Sequence, residues 1–343
     1  MKRFLSLLLT LIICCLTACS AGPAPVSDKL QIVATIFPEY DWVREVLGDN
    51  PAGAEVTLLL DSGVDLHSYQ PTAADILKIS CCDVFLYVGG ESDDWVEDAL
   101  AEAGNKEMIV INLLESLGDA VKEEEIIPGM QHEHEHDEDE EHEEGHDEEH
   151  DEEHDHDEDH DHEEPEYDEH VWLSLRNAAV LTERIAEALA AADAANAGTY
   201  RANAAAYIGK LDALDAAYSA VVEAAGCRTL LFGDRFPFRY LADDYGLDCY
   251  AAFSGCSAET EASFETVTFL AQQVDALSLH TVMTLEKSDS RIAETIVRNT
   301  KTKDQQILAL DSMQSADAED VKNGVTYLSV MEANLAVLRD ALR

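Results

Sequence analysis

The sequence predicts an α/β protein of two lobes, each a mainly parallel sheet flanked by helices, joined by a long rigid helix with a cleft between them. Three observations predict it. Short runs rich in Val, Ile and Leu alternate with helical patterns over residues 30–112; an Ala-rich stretch from Thr199 to Ala225 is longer than one lobe requires; and the same alternation resumes beyond it. At 343 residues the chain also exceeds what one core usually serves.

The elements follow in order. Residues 1–18 read as an export signal, with Lys2 and Arg3 ahead of an apolar stretch from Phe4 to Leu16. Leu16-Thr17-Ala18-Cys19 closes it with the bacterial lipoprotein cleavage pattern. Cys19 is therefore the expected lipidation site, residues 19–29 the tether, and the outer side of the cell membrane the expected location. The apolar stretch is too short for a membrane span, which needs about 20 apolar residues.

Residues 30–190 form the expected first lobe, with strands Leu30 to Ile36, Glu55 to Leu60, Val84 to Val88 and Met108 to Asn112. Helices are expected from Pro38 to Leu47, Thr72 to Ser80 and Asp93 to Ala103, the first two with proline in the favoured early position. Such βα alternation calls for parallel strands covered on both faces. The expected spine is 191–225, a helix of about 27 residues and roughly 40 Å at 1.5 Å per residue. Residues 226–343 then carry strands Arg228 to Gly233, Asp248 to Phe253, Thr281 to Leu285 and Gln306 to Ala309, with a closing helix from Asn323 to Leu342.

Inside the first lobe, the loop 123–166 contains a run from Gln131 to Glu164 with ten histidines, 22 acidic residues and no Lys or Arg. Such a segment buries too little apolar surface to offset its ordering entropy, and it is expected to be disordered. Imidazole is a good ligand for borderline divalent ions and dense carboxylate concentrates cations, so the run is expected to collect zinc. Its acids account for 22 units of the formal net charge of −49, leaving −27 on the rest. Nucleic acid is excluded as a partner by that balance, since phosphate binding needs clustered Lys and Arg. The run also satisfies H-E-x-x-H at His132 to His136 and His142 to His146, but in so biased a composition this is a chance match to a metallopeptidase motif. The chain is not expected to be an enzyme.

In open parallel sheets, ligands sit beyond the carboxyl ends of the strands. That rule selects His67, Asp234 with Arg235, Glu286 and, further on, Asp289; His170 stands at the start of a helix. Two imidazoles with a carboxylate such as Glu286 suit zinc. His280 opens a strand at the other end and is expected to be a bystander. Cys227 and Cys249 fall at the amino ends of expected neighbouring strands, where a disulfide could close, whereas Cys256 falls at the opposite end as a lesser candidate for a soft ligand. Cys81 and Cys82 are expected to be buried thiols, since a bridge between them would be a strained vicinal one.

The stretches Gly63 to Pro71, Cys82 to Gly90, His170 to Ser174, Tyr240 to Ala242 and Tyr245 to Leu247 resemble the metal-binding lipoproteins of bacterial zinc and manganese ABC importers, most closely the high-affinity zinc-uptake type. The resemblance covers essentially the whole mature chain. It implies a monomer that holds one Zn2+, with Mn2+ as the alternative, and presents it to an ABC permease with its ATPase. It also implies His67 and His170 as the first two ligands and Glu286 as an acidic one. The family's third ligand falls at Arg235, which cannot ligate a metal, leaving Asp234 or water to substitute. A surface zinc buffer or adhesin uncoupled from transport is the rival reading.

Overall fold

The computed structural model describes residues 29–130, 166–257 and 261–343. Cys19 and the run from Gln131 to Glu164 lie outside the described residues. Among the described residues no helix is long and apolar enough to cross a membrane.

The first lobe is built on β1 (Gln31–Ala34), β2 (Glu55–Leu58), β3 (Val84–Tyr87) and β4 (Ile109–Asn112), all parallel, in the order β2-β1-β3-β4. Helices α1 (Phe37–Leu47), α2 (Ala73–Cys81), α3 (Trp95–Ala101) and α4 (Leu113–Leu117) connect and cover them. In the second lobe β5 (Thr229–Phe236), β6 (Asp248–Ser254), β7 (Thr281–Leu285) and β8 (Gln306–Leu310) repeat the pattern, parallel in the order β6-β5-β7-β8. In each lobe the strand order reverses between the first and third strands, and loops leaving the carboxyl ends flank a crevice there.

Between the lobes run α5 (Leu175–Ala192) and α6 (Ala197–Ala224), followed by α7 (Arg239–Tyr245), α8 (Phe264–Leu277), α9 (Arg291–Asn299), α10 (Ala318–Lys322) and α11 (Tyr327–Ala341). The 28 residues of α6 bury Tyr200, Ala204, Tyr207, Leu211, Leu214, Tyr218 and Val222, a stripe at helical spacing along the rod. Its first half anchors the first lobe, where Asn203 Nδ2 donates to Val46 O at 3.0 Å, and its second half the last helix, where Tyr218 Oη donates to Met331 O at 2.7 Å. One rod therefore fixes both lobes.

Three differences from the sequence expectation have local causes. β5 runs on to Phe236 because a register shift between Phe232 and Arg235 absorbs the irregularity, so Asp234 and Arg235 lie within the strand. The last helix starts at Tyr327, where Thr326 caps it; Gly324, at φ +83°, separates it from α10. The Cys227–Cys249 disulfide is corrected, for both thiols are free. The register pairs Cys249 with Leu230, three residues beyond Cys227, and Cys227 Sγ instead accepts from Thr229 N at 3.4 Å. At about 3.3 Å per strand residue that offset is too long for a bridge.

Near the start of α1, Glu39 is fully buried and accepts through Oε2 from Thr35 N, Thr35 Oγ1 and Ile36 N. Burial, with the charge of Asp93 nearby, pushes its carboxyl from an ordinary 4.5 to about 8. The folded protein thus holds a proton that the unfolded chain releases above about 4.5. Stability from this residue is full below that value and falls as pH rises towards 8, by up to about 1.4 kcal/mol per pH unit. Urea denaturation of the metal-free protein at pH 5, 7 and 9 should show this loss, and Glu39→Gln should flatten it.

Candidate metal centre

Loops from both lobes converge on two imidazoles. His67 sits in a short 3-10 turn, Leu66–Ser68, whose N-cap Asp65 accepts from His67 N at 3.1 Å. His170 immediately precedes another, Val171–Leu173, pinned to the second lobe by Trp172 Nε1 donating to Ser312 O at 2.8 Å and Tyr327 Oη donating to Trp172 O at 2.7 Å. His170 is fully buried and the His67 side chain is 10% exposed. Their Nε2 atoms stand 3.1 Å apart.

The outer ring nitrogens decide what those inner atoms present. His170 Nδ1 lies 2.9 Å from Asp168 Oδ1; His67 Nδ1 lies 2.8 Å from Ser92 Oγ and 3.4 Å from Glu169 Oε2. A carboxylate only accepts, so the Asp168 contact puts a hydrogen on His170 Nδ1 and leaves its Nε2 free to bind a cation, whereas Ser92 Oγ, the nearest neighbour of His67 Nδ1, can either donate or accept. Gln314 Nε2 faces both inner nitrogens, 3.1 Å from His67 Nε2 and 2.9 Å from His170 Nε2. Carboxylate-backed imidazoles of this kind are the usual setting of a metal-binding histidine.

Consecutive residues, Asp168 and Glu169, thus orient both rings. Burial raises the Glu169 carboxyl, but hydrogen bonds from His67 and Ser92 outweigh it and hold it below its ordinary value. A Cβ at position 90 would stand 2.4 Å from Glu169 Oε1, and Gly90 has φ +84°, so only glycine lets this carboxylate lie against the chain.

Cys256 brings a third candidate donor to the rings. Its Sγ and the two ring nitrogens all lie within 4.8 Å of one another. It follows β6 by two residues, and between them a Cβ at position 255 would stand 2.8 Å from His170 Cε1, so Gly255 is what lets the strand end pass beneath the ring. Burial pushes the thiol upward, and the charges of Glu124, Glu169, Asp168 and Asp65 push it further. It stays protonated at neutral pH until a cation displaces the proton.

The two expected carboxylates stand elsewhere. Glu286 accepts from Ser312 N at 2.8 Å, Ser312 Oγ at 2.9 Å and Ser315 Oγ at 3.1 Å, tying down the loop after β8. Asp234 accepts from Ser288 Oγ at 2.6 Å and Leu285 N at 3.3 Å, holding β5 to the β7 end. Neither is among the donors grouped with the rings. Arg235 reaches across to Asp65, Nη2 to Oδ2 at 2.8 Å, linking the second lobe to the turn that carries His67. Burial raises Asp65, but Arg235 and the His67 backbone outweigh it and hold its carboxyl low. Asp289 pairs with Arg291 on the surface.

A family model described as ZnuA, zinc-uptake complex component A periplasmic, matches residues 32–341. The chain belongs to this family. Among ZnuA relatives, the zinc-binding lipoprotein AdcA of Streptococcus pneumoniae is 33% identical over 339 residues, covering 99% of this chain and 61% of that protein. The chain thus spans about three fifths of that relative's length. The high-affinity zinc uptake system protein ZnuA of Bacillus subtilis is 28% identical over 315 residues, covering 92% of this chain and 88% of its own. The Zn(II)-bound ZnuA-like domain of S. pneumoniae AdcA superposes with a TM-score of 0.67 at 29% identity, over 92% of this chain and 99% of that one.

Sequence reasoning missed Asp168 and Glu169 as orienting residues, although both directly precede His170. Replacing Asp168 with alanine should free the His170 ring and lower zinc affinity about 10–100-fold, as outer partners of metal-binding histidines generally do. Competition titration against a chelator would measure it.

Proposed function

We propose that this chain is the lipid-anchored, extracytoplasmic solute-binding protein of a metal ABC importer, capturing Zn2+ between its lobes and delivering it to the membrane permease and ATPase. The supporting observation is the pair of Nε2 atoms 3.1 Å apart, with a carboxylate beside the outer nitrogen of each ring. Two neutral nitrogens and a nearby thiol match zinc's preference for N and S donors. Within this reading His67, His170 and Cys256 hold the ion, and Glu286 and Asp234 brace the loops around it. The run from Gln131 to Glu164 gathers zinc for the cleft.

Deletion of the gene and growth under zinc chelation tests the reading. An importer component should be required there, and the wild-type gene should restore growth while His67→Ala and His170→Ala forms do not. Unimpaired growth of the deletion strain would favour a surface buffer.

A further inference from the structure

Beneath the turn that carries Ser92, two buried carboxyls each leave one oxygen without a partner. Glu39, in the first turn of α1, is fully buried, and Asp93, which ends the short 3-10 turn Glu91–Asp93, is 3% exposed. Both follow the carboxyl ends of neighbouring strands, Glu39 after β1 and Asp93 after β3, at the point where the strand order reverses. Thr35 joins the two strand ends, its N–H shared between Leu86 O at 3.2 Å and Glu39 Oε2 at 2.8 Å.

One oxygen of each carboxyl is in use. Glu39 Oε2 accepts from Thr35 N, Thr35 Oγ1 and Ile36 N, and Asp93 Oδ2 accepts from Gly89 N at 3.0 Å. The other oxygens, Glu39 Oε1 and Asp93 Oδ1, are shut off from solvent and have no hydrogen-bond partner among the described residues. Two bare ionised oxygens in the interior would lose their hydration with nothing in return, a costly way to bury an acid.

The groups that act most strongly on the pair supply no cation. Beyond backbone amides and the Thr35 hydroxyl, Glu39 feels the charge of Asp93, and Asp93 feels Glu169 and Asp94; Tyr69 and Tyr87 also lie within reach of Asp93. Burial first, and then these negative neighbours, raise Glu39 to about 8 and Asp93 to about 7. With no proton, both free oxygens are acceptors. With one, a hydroxyl on either carboxyl meets the bare oxygen of the other, and both are satisfied.

We propose that Glu39 and Asp93 share one proton in an O–H···O bond, and that this bond is a pH-sensitive clamp holding the Gly89 to Asp93 turn against the start of α1. The clamp lies under the metal centre: Ser92 N donates to Glu169 Oε1 at 2.9 Å, and Ser92 Oγ lies 2.8 Å from His67 Nδ1. Loss of the proton above about pH 8 leaves two like charges facing each other. The turn beneath His67 is then released.

The test uses the full metal-free chain with Glu39→Gln, Asp93→Asn and the double variant, whose amides keep the shape of the pair and supply a permanent donor. Urea denaturation between about pH 5.5 and 7.5 counts the retained protons, because each proton held by the folded but not the unfolded chain lowers the folding constant about tenfold per pH unit. Either single variant should remove that one-proton dependence, and the double variant should remove no more. Losses that add, one proton for each residue, would overturn the proposal, as would an unchanged dependence in both single variants. Hydrogen exchange of residues 86–95, corrected for intrinsic rates, should accelerate above pH 8 in wild type and not in Glu39→Gln; equal acceleration in both would overturn the clamp. If a variant does not fold, 13C titration of the wild-type carboxyls decides. Glu39 and Asp93 resonances moving together through the same midpoints support sharing, and separate midpoints without mutual response overturn it.

Discussion

A His67→Ala variant is expected to lose the tightly held zinc ion, with an affinity loss exceeding the 10–100-fold that follows from disturbing an outer partner alone. The reason is geometric. His67 and His170 come from different loops, and their Nε2 atoms meet at 3.1 Å because Asp168, Glu169 and Ser92 hold the outer nitrogens. Removing one ring leaves one nitrogen and a protonated thiol, too few donors to offset dehydration of a dication. The His67 side chain is the more exposed of the two, so its truncation perturbs the core less than His170→Ala would. Native mass spectrometry after a chelator wash separates this site from the weak capacity expected of the run from Gln131 to Glu164. A variant that kept one zinc ion through the wash would place the tight site elsewhere.

Much of the fold is legible in the chain. Thr281–Leu285 reads as one β-branched apolar run and forms β7 over those same residues, because a strand buried on both faces needs that composition. The alanine-rich stretch forms α6 because its tyrosines and leucines recur at helical spacing. His67 and His170 stand out because only three histidines lie outside the acidic run. Register is less legible. Cys227 and Cys249 look adjacent by strand position, yet pairing Leu230 with Cys249 separates them. Side-chain direction is less legible still: strand ends locate Glu286, but only the fold of the 312–315 loop shows its oxygens turned onto Ser312 and Ser315. The position of Gln314 against both rings carries no signal in the sequence, since those partners lie 144 and 247 residues away.

Cys256 sets the second large expected effect, which concerns selectivity and pH together. A thiolate is a soft donor that favours zinc over manganese, whereas serine in its place offers only a weak, hard oxygen. With Zn2+ and Mn2+ offered together, Cys256→Ser should bind zinc at least about tenfold more weakly and show a smaller preference for it, while manganese binding stays nearly unchanged. The pH dependence follows from the proton. Burial and the surrounding carboxylates Glu124, Glu169, Asp168 and Asp65 keep the thiol protonated without a cation, so zinc must expel that proton. Zinc affinity in the wild type should therefore rise with pH through the neutral range, by up to about tenfold per pH unit for one released proton. The serine variant releases none at this position and should show a flatter profile. Calorimetric titration in two buffers of different ionisation enthalpy counts the protons directly. Equal proton release by the two proteins would mean that the sulfur does not touch the ion, and the zinc preference would then have to arise from the imidazoles and their oxygen neighbours.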